Sequence, residues 1–178
     1  GLLASLPVLE ALEPEAPLVL PASTPTSLAL NLLIEVHGHC LLVTEQGRTI
    51  GLINLADMQR GLQRERERDG GRGREARETA GSTLRDCLRS ELVWLPGSAS
   101  LSELEDQLLP GGLRQVPVFA VSGEGQPLLP QGVPAGGLPE ASLLGLASRD
   151  GLARAMARHL QLAASETCAT SASATGSA

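Results

Sequence analysis

There is no lysine in this chain of 178 residues; all 14 basic residues are arginines. That removes the P-loop lysine, the Schiff-base lysine and the kinase-type lysine, and several large enzyme classes with them. Aromatic side chains are almost as scarce, with no tyrosine and with Phe119 and Trp94 alone of their kinds. Stacking platforms for single-stranded nucleic acid are therefore missing. The 20 acids against 14 bases leave a net charge of -6, which disfavours phosphate backbones, so no nucleic-acid partner is expected. Cys40, Cys87 and Cys168 are odd in number, widely spaced and form no CxxC pair. Neither a disulfide framework nor a zinc knuckle is indicated, and a reducing cytosol is the simplest setting. No apolar run reaches the roughly 18 residues that cross a bilayer. The sequence opens at Gly1 without a methionine or a basic leader, the pattern expected of a cut from a longer chain.

What is present is an aliphatic chain, 42% hydrophobic and rich in leucine, long enough for one substantial core or two small ones that share an interface. Residues 1–16 form a leucine-rich lead segment with room for a short helix. Residues 17–21 (PLVLP) read as a buried strand fenced by proline, and residues 28–36 as an amphipathic helix after the capping run STPTS. His37 and Gly38 break it. Residues 40–44 and 49–53 then read as a hairpin, and residues 54–64 as a helix capped by Asn54. The order is strand, helix, strand, strand, helix.

The same order returns. Residues 91–95 (ELVWL) read as a strand, 101–109 as a helix stopped by Gly111 and Gly112, 116–121 and 143–147 as paired strands, and Ser148 caps a last helix ending near residue 160. The best internal match sets GLINLADM from Gly51 against GLASRDGL from Gly145. Each places a glycine, a capping side chain three residues on, and a helix. The sequence therefore divides into a lead segment 1–16, a first repeat 17–64, a charged Gly/Arg-rich linker 65–81, a second repeat 82–160 with an insert at 122–142, and a Ser/Ala/Thr tail 161–178 expected to be disordered.

Two β-α-β-β-α units in tandem, each with this turn into its final helix, resemble a CBS-domain pair over roughly residues 14–160. The resemblance implies an α/β (α+β) fold of two repeats packed about a pseudo-two-fold axis, assembly into a homodimer, and adenine nucleotides (ATP, ADP or AMP) bound between the copies as regulatory ligands, with no obligatory cofactor. The run ELVWLPGSASLSELEDQ with GLRQVPV and LLGLASRD further resembles the tail of a bacterial ClC-type chloride channel or transporter. That implies a regulatory domain on the cytoplasmic side of a membrane, with a membrane transport domain of the same parent chain as its partner.

In such modules the ribose hydroxyls meet an aspartate six residues after the motif glycine, since a carboxylate accepts two hydroxyl hydrogen bonds. Asp57 holds that position in the first repeat, with Asn54 as the cap near phosphate. The resemblance sets them opposite Val93, Trp94, Leu113 and Arg114, the last suited to pair with a phosphate. In the second repeat the position is Gly151, with Asp150 one residue early, so the opposite cleft of Val19, Val36, His37, Ser148 and Asp150 looks damaged. The plainer reading of Asp57 is an acid in the first turn of a helix, favoured by the dipole.

Other features have plain readings as well. His37 and His39 lack a third zinc ligand nearby and read as turn and strand residues. The glycines at 70, 71 and 73 lack the lysine and preceding strand of a phosphate loop. Seven arginines between Arg60 and Arg77 are interleaved with acids and read as a solvated linker. Ser148 and His159 lie eleven residues apart on one helix, about three turns, so no nucleophile and base pair forms. The expectation is a non-enzymatic sensor, with a ligand-free dimerisation module as its rival.

Overall fold

Pro17 and Pro21 bracket the first apolar run, and the computed structural model, which describes residues 1–70, 81–89, 91–109, 113–121 and 136–174, places a short strand β1 there, Val19–Pro21. Strand β2, Cys40–Glu45, lies parallel to it, and parallel strands need a crossover. Helix α2, Thr26–Glu35, supplies that crossover and buries Thr26, Ala29 and Leu33 on one face. His37 ends it in the left-handed region at φ 53. Strand β3, Arg48–Asn54, returns antiparallel through a two-residue turn in which Gln46 and Gly47 both have positive φ, the geometry that suits the twist of a hairpin. Helix α3, Leu55–Asp69, then starts from a capping box.

The second copy repeats the design: β4 (Leu95–Pro96), α5 (Leu101–Leu108), β5 (Gln115–Phe119), β7 (Leu143–Ser148) and α6 (Arg149–Ala174). A capping box of Ser100 and Glu103 opens α5. The register is shared as well. Leu20 faces Val43 as Leu95 faces Val118, Gly51 faces Val43 as Gly145 faces Val118, and a bulge follows Val43 and Val118 alike. Two β-α-β-β-α repeats are thus present, in a mixed α and β fold of two small sheets.

Before each copy runs a short lead segment, and the two are exchanged. Helix α1 (Leu2–Ser5) and a 3₁₀ turn at Val8–Ala11 pack on the second copy, while α4 (Leu84–Cys87), between the copies, packs on the first. The docking bonds mirror one another. Val8 N–H donates to Ala99 O (2.8 Å) and Leu101 N–H to Leu6 O (2.8 Å), as Leu84 N–H does to Thr24 O (3.0 Å) and Thr26 N–H to Ser82 O (2.8 Å). Each core is therefore built from both halves: Val8 and Ala11 are buried with Leu101, Leu104, Val116 and Val118, and Leu84 and Cys87 with Leu33, Leu41, Val43 and Met58. A third cluster of Leu92, Phe119 and Leu138 joins the copies.

The insert also crosses over. Strand β6, Leu138–Pro139, pairs antiparallel with β3, so the end of the insert extends the sheet of the first copy. Arg48 Nη1 donates to Gly137 O (2.7 Å) and Glu140 N–H to Gly47 O (2.9 Å). The remainder of the expected insert, 122–135, lies outside the described residues, as do linker residues 71–80, the glycine stop at 111–112 and tail residues 175–178.

Several expected boundaries differ by one or two residues, as at the starts of β1 and α2 and the end of β5, and three differ by more. Helix α3 continues to Asp69, past the expected end at 64, because arginine, glutamate and glutamine are good helix formers and Gln63 Nε2 reaches Glu67 Oε1 one turn on (3.5 Å). Helix α6 continues to Ala174, where a disordered tail was expected from 161. Residues 161–170 are exposed, so alanine-rich propensity rather than burial carries this extension. Ser165 and Thr167 absorb their hydroxyl donors on carbonyls one turn back, both at 2.9 Å. Strand β4 has two residues where five were expected. In the shared register Trp94 faces Pro117, which has no N–H to donate, and the ladder stops there.

Candidate functional site

The asparagine that ends β3 shapes the first cleft. Asn54 Oδ1 accepts from Asp57 N–H and Asn54 N–H donates to Asp57 Oδ2, both at 2.9 Å. That box locks Asp57 in the first turn of α3, nearly buried, at the mouth of a cavity of about 560 Å³. Its other oxygen, Oδ1, takes Arg60 of the next turn, with Arg89 Nη1, from the segment after α4, at 3.7 Å. Leu52, Ile53, Val93, Leu113 and Arg114 complete the wall. The structure thus brings Asp57, Asn54, Val93, Leu113 and Arg114 together.

Trp94 is not with them. Its ring packs edge-on against Phe119, centroids 6.1 Å apart, in the apolar cluster between the copies. Val93 takes the inward position. The second cleft, a cavity of about 650 Å³, shows the same shift: Val36, His37, Ser148 and Asp150 line it, but Val19 does not, and Leu18 stands there instead. Val93 was expected in the first cleft and lines it, whereas Trp94 in that cleft and Val19 in the second were misplaced for one reason. Residues 17–21 and 91–95 are apolar on nearly every position, and a strand without alternation carries no signal for which face is which.

Gly151 is explained by neither loss nor chance. A Cβ there would stand 2.0 Å from the carbonyl oxygen of Ala11 and 2.7 Å from its carbon. The lead segment lies where an aspartate side chain would be. Ser148 caps α6 by accepting Gly151 N–H at 2.8 Å, and its hydroxyl hydrogen bonds to Glu13 of the lead segment.

Sequence reasoning missed Arg89, Glu91, His39, Cys40 and Gln115 in the first cleft, and Glu13, Glu15, Leu18 and Arg149 in the second. Matching the lead segments to one another, Pro7 onto Thr83, would have pointed to Arg89 and Glu13. His39, Cys40, Arg114 and Gln115 line both cavities and form the wall between them. Within it Cys40 Sγ donates to Gln115 Oε1 at 2.5 Å, and burial pushes the thiol up from 9.0 to about 12. His37 and His39 have no third ligand: no group of three metal-binding side chains occurs among the described residues. Ser148 and His159 do not meet, since His159 Nε2 lies 2.6 Å from Glu10 Oε2. Each cleft combines a carboxylate with a helix cap, and the first adds Arg89 to the shared Arg114, an arrangement able to hold a ligand with hydroxyl groups and an anionic end.

Paired repeats of this order, with a cleft on either side of the line between them, have the fold of a tandem CBS-domain pair. Solved structures agree on the fold. The chain is similar to CBSX2, solved in complex with AMP, with 20% identity and a TM-score of 0.62 over 86% of this chain and 98% of that one. It is also similar to the CBS domain pair of protein MJ0100, solved with 5'-methylthioadenosine and S-adenosyl-L-methionine (12% identity, TM-score 0.57, 86% and 97% covered). A third is the CBS domain of a CBS domain-containing membrane protein from Sphaerobacter thermophilus (17% identity, TM-score 0.55, 86% and 89% covered). No family model matches the sequence, and no curated protein matches it.

Proposed function

We propose that this chain is a regulatory, non-catalytic module that senses an adenine nucleotide (AMP, ADP or ATP) through the Asp57 cleft. The carrying observation is that Asp57, held by the Asn54 cap and with Arg89 Nη1 at 3.7 Å, shares with Arg114 the lining of one cavity of about 560 Å³. Similar folds solved with AMP and with adenosine derivatives support the ligand class. In this reading Asp57 accepts the ribose hydroxyls, and Arg114 and Arg89 meet phosphate. Ligand binding orders Arg89, now drawn to Asp57, and passes to an attached domain by conformational coupling.

The finer reading is a tail on the cytoplasmic side of a membrane, attached to a ClC-type chloride transport domain and assembled as a homodimer. Its support is the sequence resemblance at 91–107, 112–118 and 143–150, and the exposed Leu28, Ile34, Leu160 and Leu162 on α2 and α6, which a second copy would cover. Calorimetric titration with AMP, ADP and ATP tests the sensor. Binding below millimolar that Asp57→Ala abolishes is expected; no binding below millimolar, or an Asp57→Ala variant that binds normally, overturns it.

A second reading is a ligand-free dimerisation module, favoured by the ion pair that already occupies Asp57 Oδ1. Sedimentation separates the two. A tight dimer whose clefts take no nucleotide supports the second.

A further inference from the structure

The second cleft draws one of its acids, Glu13, from outside its own repeat. Setting Gly51 on Gly145 sets Asn54 on Ser148 and Arg60 on Arg154, and leaves Gly151 where Asp57 stands. The lead segments superpose in the same way. The bridges Pro25 to Thr83 and Pro7 to Ser100 set Pro7 on Thr83, and so Glu13 on Arg89. In the first cleft the carboxylate is on the helix and the arginine on the lead segment. In the second the carboxylate comes from the lead segment.

Each carboxylate is nevertheless held by the cap residue, Asp57 through the Asn54 backbone N–H and Glu13 through the Ser148 hydroxyl. Asp57 takes the cap residue Asn54 on Oδ2 and Arg60 on Oδ1. Glu13 takes the cap residue Ser148 on Oε1 and Arg154 Nη2 on Oε2 at 3.3 Å. An acid fixed between the helix cap and the arginine one turn on therefore faces each cavity, from opposite walls. The charge around the two differs. Glu13, Glu15 and Asp150 line the second cavity against Arg114 and Arg149, and the Arg149 guanidinium is already committed to the carbonyls of Leu113 (2.9 Å) and Leu108 (2.7 Å). The first sets Asp57 and Glu91 against Arg89 and Arg114. A phosphate in the second cavity would meet three carboxylates, one of them paired with Arg154, where the first cavity presents two.

We propose that Glu13 is the diol-binding carboxylate of the second cleft, and that this cleft takes an uncharged or cationic nucleoside while the Asp57 cleft takes the phosphorylated ligand. A carboxylate accepts both hydroxyls of a ribose, and the more acidic lining disfavours a phosphate relative to the Asp57 cleft. The proposal rests on the reading of the chain as an adenine-nucleotide sensor, and it assigns the two clefts different ligands.

Titration calorimetry of the full chain with adenosine and, separately, AMP tests it on the native chain, Glu13→Gln and Asp57→Asn. Glu13→Gln keeps an acceptor for Ser148, and its melting temperature checks the fold. Adenosine binding is expected to weaken about tenfold or more in Glu13→Gln with AMP binding held, and AMP binding to weaken likewise in Asp57→Asn with adenosine binding held. Adenosine that competes with AMP for one site, or that binds Glu13→Gln as well as the native chain, overturns the proposal. AMP bound through Asp57 with no adenosine bound anywhere defeats this proposal and leaves the sensor reading standing. Adenosine bound through Glu13 with no AMP bound anywhere overturns the sensor reading and the division of ligands between the clefts, and leaves only the role of Glu13.

Discussion

Replacing Gly151 by alanine sets two effects of opposite sign against each other. In an exposed helix interior the change would stabilise by about 0.5–1 kcal/mol, since alanine loses less backbone freedom than glycine. Here the new Cβ would lie 2.0 Å from Ala11 O, 2.7 Å from Ala11 C and 3.1 Å from Ala11 Cα. These are backbone atoms, so no rotamer relieves the clash, and the lead segment must retreat by about 1 Å or more. Overpacking of this kind costs about 1–3 kcal/mol. The retreat also strains the bonds from Val8 N–H to Ala99 O and Glu13 N–H to Leu146 O, both 2.8 Å, which are worth about 1 kcal/mol each. Gly151→Ala should therefore destabilise by about 2–4 kcal/mol, the clash outweighing propensity. Urea unfolding followed by the fluorescence of Trp94, the single tryptophan, measures it. A variant as stable as the native chain, or more so, would refute the account of why glycine stands there. Gly151→Asp, which restores the motif residue in sequence, should be worse still and should create no new nucleotide site.

Gly137→Ala should loosen the strap on the first sheet, because Gly137 has φ +88 and a Cβ there would lie 2.2 Å from Thr49 O; a loss of about 2 kcal/mol is expected. Faster hydrogen exchange at residues 136–142 checks it, and unchanged exchange would refute it. Cys40 should resist alkylation at pH 8 while the exposed Cys168 reacts, because burial holds its thiol protonated to about 12. The same shift sets a sign on stability. The unfolded thiol ionises near 9.0 while the folded one does not until about 12, so stability is full below 9 and falls as pH rises between those values. Cys40→Ala should flatten that fall in chemical unfolding at pH 8 to 11, and an unaltered slope would count against it.

The repeated order of elements was legible because each rests on local chemistry. Asn54 and Ser148 cap helices, Gln46-Gly47 makes a two-residue turn, and prolines fence β1. What the sequence reading missed is non-local. Nothing near residue 13 says that Glu13 will meet Ser148, since that contact spans 135 positions. Nothing near Gly151 says that its missing side chain makes room for Ala11. The orientation of residues 18–19 and 93–94 was lost because both segments are apolar on neighbouring positions, so the sequence carries no alternation that tells inside from outside. The length of α6 was misjudged for the opposite reason: low apolar content was read as disorder, although alanine needs no core to favour a helix.

The exchanged lead segments also say how the two copies fold. Residues 1–13 serve the second core and residues 82–89 the first, so neither sequence repeat contains everything its own core requires. Cutting the chain in the linker would give a first fragment carrying a piece of the second core and a second fragment carrying a piece of the first. Such halves are incomplete alone and complementary together. The repeat unit of the sequence is therefore not the cooperative unit of unfolding, and a disturbance in either copy is felt at the foundation of the other.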